Sequence, residues 1–98
     1  MESVKGKKVL LVGATGGIGR KTASLLRQSG AELFLTGRDA GKLNELAQEL
    51  SIPNAQTAVT DLTDPSSVEA LLQSYQSVFT TIDVLVNASG IGIIKPLE

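Results

Sequence analysis

The sequence predicts an α/β protein built on a doubly wound parallel sheet, in the order βαβαβαβ. Three observations lead there. Short unbroken apolar runs, Val9-Leu10-Leu11-Val12 first among them, fit strands buried on both faces. Between the runs, apolar residues recur at i, i+3, i+4 and i+7, the spacing of a helix with one buried stripe. The first run opens directly into Gly13-Ala14-Thr15-Gly16-Gly17-Ile18-Gly19, a glycine-rich passage from strand to helix.

Lys8 to Val12 reads as the first strand, bounded by lysine and glycine. From Gly17 to Ser29, Ile18, Leu25 and Leu26, with Ala23 nearby, predict a helix with one buried face, ended by Gly30 in a left-handed conformation. Ala31 to Thr36 is a second strand, which Gly37 breaks. Asp39 can cap a second helix carrying Leu43, Leu46, Ala47 and Leu50, with Pro53 as its stop. Ala55 to Val59 is a weaker third strand. Asp64-Pro65 pairs an N-cap with a proline at the first helical position, and Val68, Leu71, Leu72 and Tyr75 line the third helix. Ile82 to Val86 is the fourth strand and leads into Asn87-Ala88-Ser89-Gly90.

Right-handed crossovers set the first three strands side by side, with the first two helices on one face. Pairing of the fourth strand with the free side of the first makes the order 3-2-1-4 and puts the third helix on the other face. The reversal between those two strands is the crevice where open α/β sheets bind ligands. The glycine loop opens there.

Bulk composition narrows the function. Ninety-eight residues allow one small domain, and a chain of this size buries roughly 60–70% of its unfolded surface. With 42% hydrophobic residues, 19% charged and a net charge of −1, there is no electrostatic footprint for nucleic acid or an acidic membrane. The absence of Cys excludes disulfide and thiolate chemistry, and the absence of His removes the usual zinc ligand and general base; no metal site is expected. The basic N-terminus is followed by an apolar run too short for a signal peptide or a membrane span, so the expected location is the cytoplasm.

The glycine loop suits a phosphate. Glycine takes positive φ cheaply and has no Cβ to hold a ligand away. The helix behind it aims free N–H groups and its positive dipole end at the same point. Gly13, Gly17 and Gly19 give G-x-x-x-G-x-G, and Gly13, Gly16 and Gly19 give G-x-x-G-x-x-G, neither being the G-x-G-x-x-G fingerprint. A Walker-type loop fits less well still, because it needs Gly-Lys-Ser/Thr at the helix start and Gly19 is followed by Arg20-Lys21-Thr22. A glycine-rich turn with no ligand is the bland alternative.

Taken with three later stretches, the loop resembles the N-terminal part of a short-chain dehydrogenase/reductase, whose motif Thr-Gly-x-x-x-Gly-x-Gly is met at Gly13, Gly17 and Gly19 with Val12 in place of the threonine. The resemblance runs over about residues 8 to 95. It implies a Rossmann-like fold, truncated here, so that residues 1–98 are a partial NAD(P)-binding domain. It further implies that the loop (Gly13, Thr15, Gly16, Gly17, Ile18, Gly19) meets the pyrophosphate.

The second stretch is Thr36-Gly37-Arg38-Asp39. Where an NAD-specific member carries an acid, this chain has Gly37, followed by Arg38, whose guanidinium suits a 2′-phosphate and the adenine face. The resemblance therefore implies NADP(H) rather than NAD(H). Asp39, about 20 residues past Gly19, is a rival for the ribose as well as a helix cap. In the third stretch, Asp61 is implied to bond the adenine amino group and Leu62 to pack on the ring; a turn through Asp61-Leu62-Thr63-Asp64 uses the same residues. In the fourth, Asn87 and Gly90 match the family's Asn-Asn-Ala-Gly, while Ala88 and Ser89 depart from it. Asn87 is implied to brace the end of the fourth strand, with the segment passing the nicotinamide ribose. Ser89 has no His to activate it and reads as filler of a small-residue slot.

The family's proton relay, a Tyr and Lys four residues apart, is missing. Tyr75, the only tyrosine, is followed four residues later by Phe79. No catalytic residue is expected in this chain, and two classes of function stay open. One is the cofactor-binding part of an oxidoreductase acting on a small carbonyl or alcohol, inactive by itself. The other is a stand-alone nucleotide-binding or interaction module. A sheet cut after its fourth strand keeps an apolar edge and a bare face, which predicts self-association.

Overall fold

A computed structural model describes residues 4–89. Its strands are β1 (Lys8–Val12), β2 (Glu32–Gly37), β3 (Thr57–Val59) and β4 (Val84–Asn87), and its helices are α1 (Gly17–Gln28), α2 (Ala40–Glu49) and α3 (Pro65–Gln76). All pairings are parallel and the order is β3-β2-β1-β4, as the sequence predicts.

The two faces of the sheet make two cores. Val9, Leu11, Leu33 and Leu35 point to one side and pack with Ala23 and Leu26 of α1 and Leu43, Leu46 and Ala47 of α2. Leu10, Val12 and Phe34 point to the other and pack with Leu71 and Tyr75 of α3 and with Phe79. Alternate strand residues thus serve opposite faces, which is why these runs are continuously apolar. Phe34, Tyr75 and Phe79 form a tilted aromatic chain, with centroids 5.3 and 5.5 Å apart.

Several boundaries differ from the sequence reading, each for a local reason. In α1 the buried residues are Gly19, Ala23 and Leu26, whereas Ile18 and Leu25 are 74% and 57% exposed. The helix is turned by its closest contact: a Cβ on Gly19 would lie 2.0 Å from the Gly13 carbonyl oxygen, so Gly19 must face the β1 loop. Gly37 does not break β2 but ends it, paired with Val59. Pro53 does not stop α2. The helix ends at Glu49, where the N–H groups of Ser51 and Ile52 return to the carbonyls of Gln48 and Ala47, with Ser51 at φ 57°. The same closure ends α1, where Gly30 sits at φ 87° and Ala31 N–H bonds the Leu26 carbonyl. The third strand is only Thr57–Val59, because Asn54–Gln56 form a 3-10 turn.

Candidate functional site

The loop after β1 is built by its glycines, which divide into two kinds. Gly13 has φ 77°, and a Cβ there would fall 2.5 Å from the Ser89 backbone. Gly13 and Gly19 are therefore demanded by the packing of the chain on itself. Gly17 is different: a Cβ there would meet nothing within 4 Å, and one on Gly16 only an ordinary contact at 3.8 Å. The space in front of Gly16 and Gly17 is open, and a phosphate fits a cradle of this kind. Gly16 is the N-cap of α1, with no side-chain cap and no acid in the first turn. The N–H groups there have no side-chain acceptor, and the helix dipole favours an anion.

Hydrogen bonds tie this loop to its neighbours. Gly13 and Ala14 N–H groups both donate to the Thr36 carbonyl at 3.0 Å, and Ala88 N–H donates to the Val12 carbonyl at 2.8 Å. The loop is thereby fixed to the C-terminal ends of β2 and β4.

A cleft of about 210 Å³ opens at these strand ends. Val12, Gly13, Thr15 and Gly16 form one side, and Thr36, Gly37 and Arg38 another. Thr60 and Leu62 come from beyond β3, and Ala88 and Ser89 from beyond β4. All the stretches singled out in the sequence thus meet in one place, at the reversal of strand order. Thr36 enters the sequence reading only as part of its second stretch, with no role given to it, and Thr60 is not singled out there. A threonine ending, or following, each of two adjacent apolar strands was the signal available for them.

Thr15 and Gly37 fit each other. A Cβ on Gly37 would come within 3.0 Å of the Thr15 hydroxyl oxygen, so a larger residue there must push Thr15 aside. Arg38 is exposed at the rim and has no hydrogen bond or ion pair among the described residues. Its neighbour Asp39 accepts the Lys42 N–H at 3.1 Å and caps α2.

The remaining candidates stand outside the lining. Ile18 points to solvent with Gly17 beside it in the first turn of α1, and Gly19 is buried beneath. Asp61 makes the turn: its Oδ1 accepts the Thr63 hydroxyl at 2.6 Å and the Thr63 N–H at 2.9 Å. Those donors, with Arg38 adding a smaller attraction, outweigh desolvation and hold the carboxyl below its usual range. Asn87 Oδ1 accepts from the Ser89 N–H at 3.0 Å and the Ser89 hydroxyl at 2.6 Å, bracing the turn after β4. Gly90 lies outside the described residues.

Tyr75 is a core residue. Its hydroxyl donates to the Thr81 carbonyl at 2.5 Å, and burial, with Asp83 nearby, pushes its pKa up. Among the described residues there is no cluster of His, Cys, Asp or Glu able to hold a metal, and no helix long and apolar enough to cross a membrane.

The family model for short chain dehydrogenase matches residues 7–98. The chain belongs to the short-chain dehydrogenase/reductase family. An uncharacterised oxidoreductase of Staphylococcus saprophyticus is 37% identical over 91 residues, which are 93% of this chain and 37% of that protein. L-sorbose reductase from Gluconobacter frateurii, complexed with NADPH and L-sorbose, is similar with a TM-score of 0.78 and 28% identity, over 96% of this chain and 37% of that one. A short-chain dehydrogenase/reductase from Burkholderia phymatum in complex with NAD has a TM-score of 0.76 and 26% identity, over 87% of this chain and 31% of that one. The chain therefore spans 37% of the S. saprophyticus relative, and the family's cofactors in these two structures are NADPH and NAD.

Proposed function

We propose that this chain is the NADP(H)-binding portion of a short-chain dehydrogenase/reductase whose complete form moves hydride between NADP(H) and a small carbonyl or alcohol. The observation that carries the reading is the rim of the cleft, where Arg38, whose side chain makes no hydrogen bond or ion pair among the described residues, follows Gly37, whose missing side chain makes room for Thr15. No carboxylate occupies the Gly37 position to accept ribose hydroxyls, and the Asp39 oxygen nearest α2 is engaged in its cap. A guanidinium there is suited to a 2′-phosphate.

The bound cofactor would supply the hydride; the chain's own residues bind and orient. Gly13, Thr15 and Gly16 face the pyrophosphate, Gly17 and Ile18 border it in the first turn of α1 and Gly19 supports the loop from beneath, with the open backbone at Gly16 and Gly17 approached most closely. Arg38, Asp61 and Leu62 hold the adenosine end. Asn87, Ala88 and Ser89 flank the nicotinamide ribose. No proton relay is assigned, since Tyr75 is buried and its pKa is raised, opposite to what proton exchange at neutral pH needs. The isolated chain is accordingly inactive in this reading.

Titration of the chain with NADPH and NADH, followed by reduced-nicotinamide fluorescence, tests the reading. NADPH is expected to bind at least about tenfold more tightly, and Arg38→Gln to erase that margin by weakening NADPH alone. Equal affinities in the unsubstituted chain would remove the role of Arg38. The half-buried Val84, Leu85 and Val86 of edge strand β4 support self-association, and sedimentation showing monomer alone would count against it.

A further inference from the structure

Two hydroxyls in the cleft have no task in the dinucleotide reading. Thr36, near the end of β2, and Thr60, directly after β3, are 1% and 3% exposed, and both line the cleft. Thr36 Oγ1 donates to Thr60 Oγ1 at 2.6 Å, and neither hydroxyl makes another hydrogen bond among the described residues. The pair carries two protons and the contact between them uses one. With Thr36 as the donor of that contact, the Thr60 proton is the one left over.

Packing does not account for this arrangement. Valine would fill the same volume at either position without burying a polar group. Nor can the pair relax easily, because the backbone is held on both sides. Thr60 N–H donates to the Gly37 carbonyl at 2.9 Å, and the Thr36 carbonyl receives both Gly13 and Ala14. A buried donor without a partner bears its full desolvation cost, and the cleft is the side from which an acceptor can come. Leu62 and the Arg38 guanidinium flank the same space, an apolar surface and a planar cation that both suit the face of an aromatic base.

We propose that Thr60, oriented by Thr36, donates its hydroxyl proton to a ring nitrogen of the bound adenine. This rests on the dinucleotide reading of the cleft and adds a base-recognition residue to it. The test uses the whole chain with adenosine 2′,5′-bisphosphate and NADPH as probes, by calorimetry. Thr60→Val is expected to weaken both by about fivefold to tenfold, the size of one hydrogen bond, while Thr60→Ser stays near the unsubstituted chain. Because Thr60→Val also removes the acceptor of the Thr36 hydroxyl, stability is read in the double variant Thr36→Val/Thr60→Val, whose ligand-free unfolding midpoint is expected to hold or rise while its binding still falls, which a purely structural role for the two hydroxyls would not allow. Should the valine variant fail to fold, Thr60→Ala removes the same hydroxyl with a smaller side chain and is read the same way. Binding by the hydroxyl-free variant within twofold of the unsubstituted chain, or an equal loss in Thr60→Ser, would overturn the proposal. An unsubstituted chain that binds neither probe would instead remove the dinucleotide reading itself, and this assignment with it.

Discussion

Helices α2 and α3 begin alike, and α1 begins differently. Asp39 accepts the Lys42 N–H at 3.1 Å, and Asp64 accepts the Ser66 N–H at 3.0 Å with Pro65 in the first turn. Each of those helices satisfies its own start. At α1 the cap position is Gly16, with no side-chain acceptor and no acid in the first turn. The contrast teaches that two of the helix starts are closed by local sequence, while the third, where the proposed phosphate site lies, has no side-chain closure of its own. It is at this third end that the chain's glycines collect.

A methyl group added to either of two glycines of α1 separates fold from ligand most sharply. Gly19→Ala forces a Cβ to 2.0 Å from the Gly13 carbonyl oxygen and is expected to cost about 3 kcal/mol in urea unfolding. Gly17→Ala meets nothing within 4 Å. Its stability should hold or rise by up to about 1 kcal/mol, since alanine favours helix. NADPH affinity should nonetheless fall at least about tenfold, because the new Cβ occupies the phosphate's approach. Unchanged NADPH binding by Gly17→Ala would break the comparison at its centre.

Exchanging the two kinds of helix start comes next in size. Asp64→Ala should lose about 1 kcal/mol and leave NADPH binding as it was. Gly16→Asp gives α1 the same kind of cap; at φ −76° the backbone there accepts any residue. It should add a few tenths of a kcal/mol while repelling the cofactor. A Gly16→Asp chain that still binds NADPH normally would show that the α1 start and the phosphate are unrelated.

The smallest effect concerns acid. The Thr63 hydroxyl and N–H depress the folded-state pKa of Asp61, so its contribution is complete above the unfolded value, about 3.9, and is lost as pH falls through the folded value. Thr63→Val removes the larger of the two donors. Asp61 should then titrate closer to its ordinary value, read by NMR, and the acid limb of the stability curve should flatten. An unmoved Asp61 titration would mean that the Thr63 hydroxyl is not the cause.

Much of this is legible in the sequence, for local reasons. Asp39 and Asp64-Pro65 mark helix starts because a cap is made within a few residues, and Gly30 marks an end for the same reason. The runs at Val9 and Leu33 read as strands because a sheet covered on both faces leaves no polar side. Pro53 misled, since the turn back at Ser51 is a hydrogen-bond closure that no single residue type announces. Asp61 was readable in two ways, and its turn with Thr63 shows which bond its Oδ1 makes, while Oδ2 takes none among the described residues.

The order of elements, their parallel pairing and the glycine loop opening at the reversal are legible in the chain alone, because periodicity, turn chemistry and crossover handedness act over short stretches. Tertiary structure alone decided which face of α1 is buried. The approach of Gly19 to the Gly13 carbonyl sets the helix's rotation, and Ile18 and Leu25 are carried outward with it. It also decided that Gly13 serves the fold while Gly17 is open, and that Thr36 and Thr60 share a hydrogen bond. Those facts depend on distances between residues far apart along the chain, and such distances come into being only when the sheet closes.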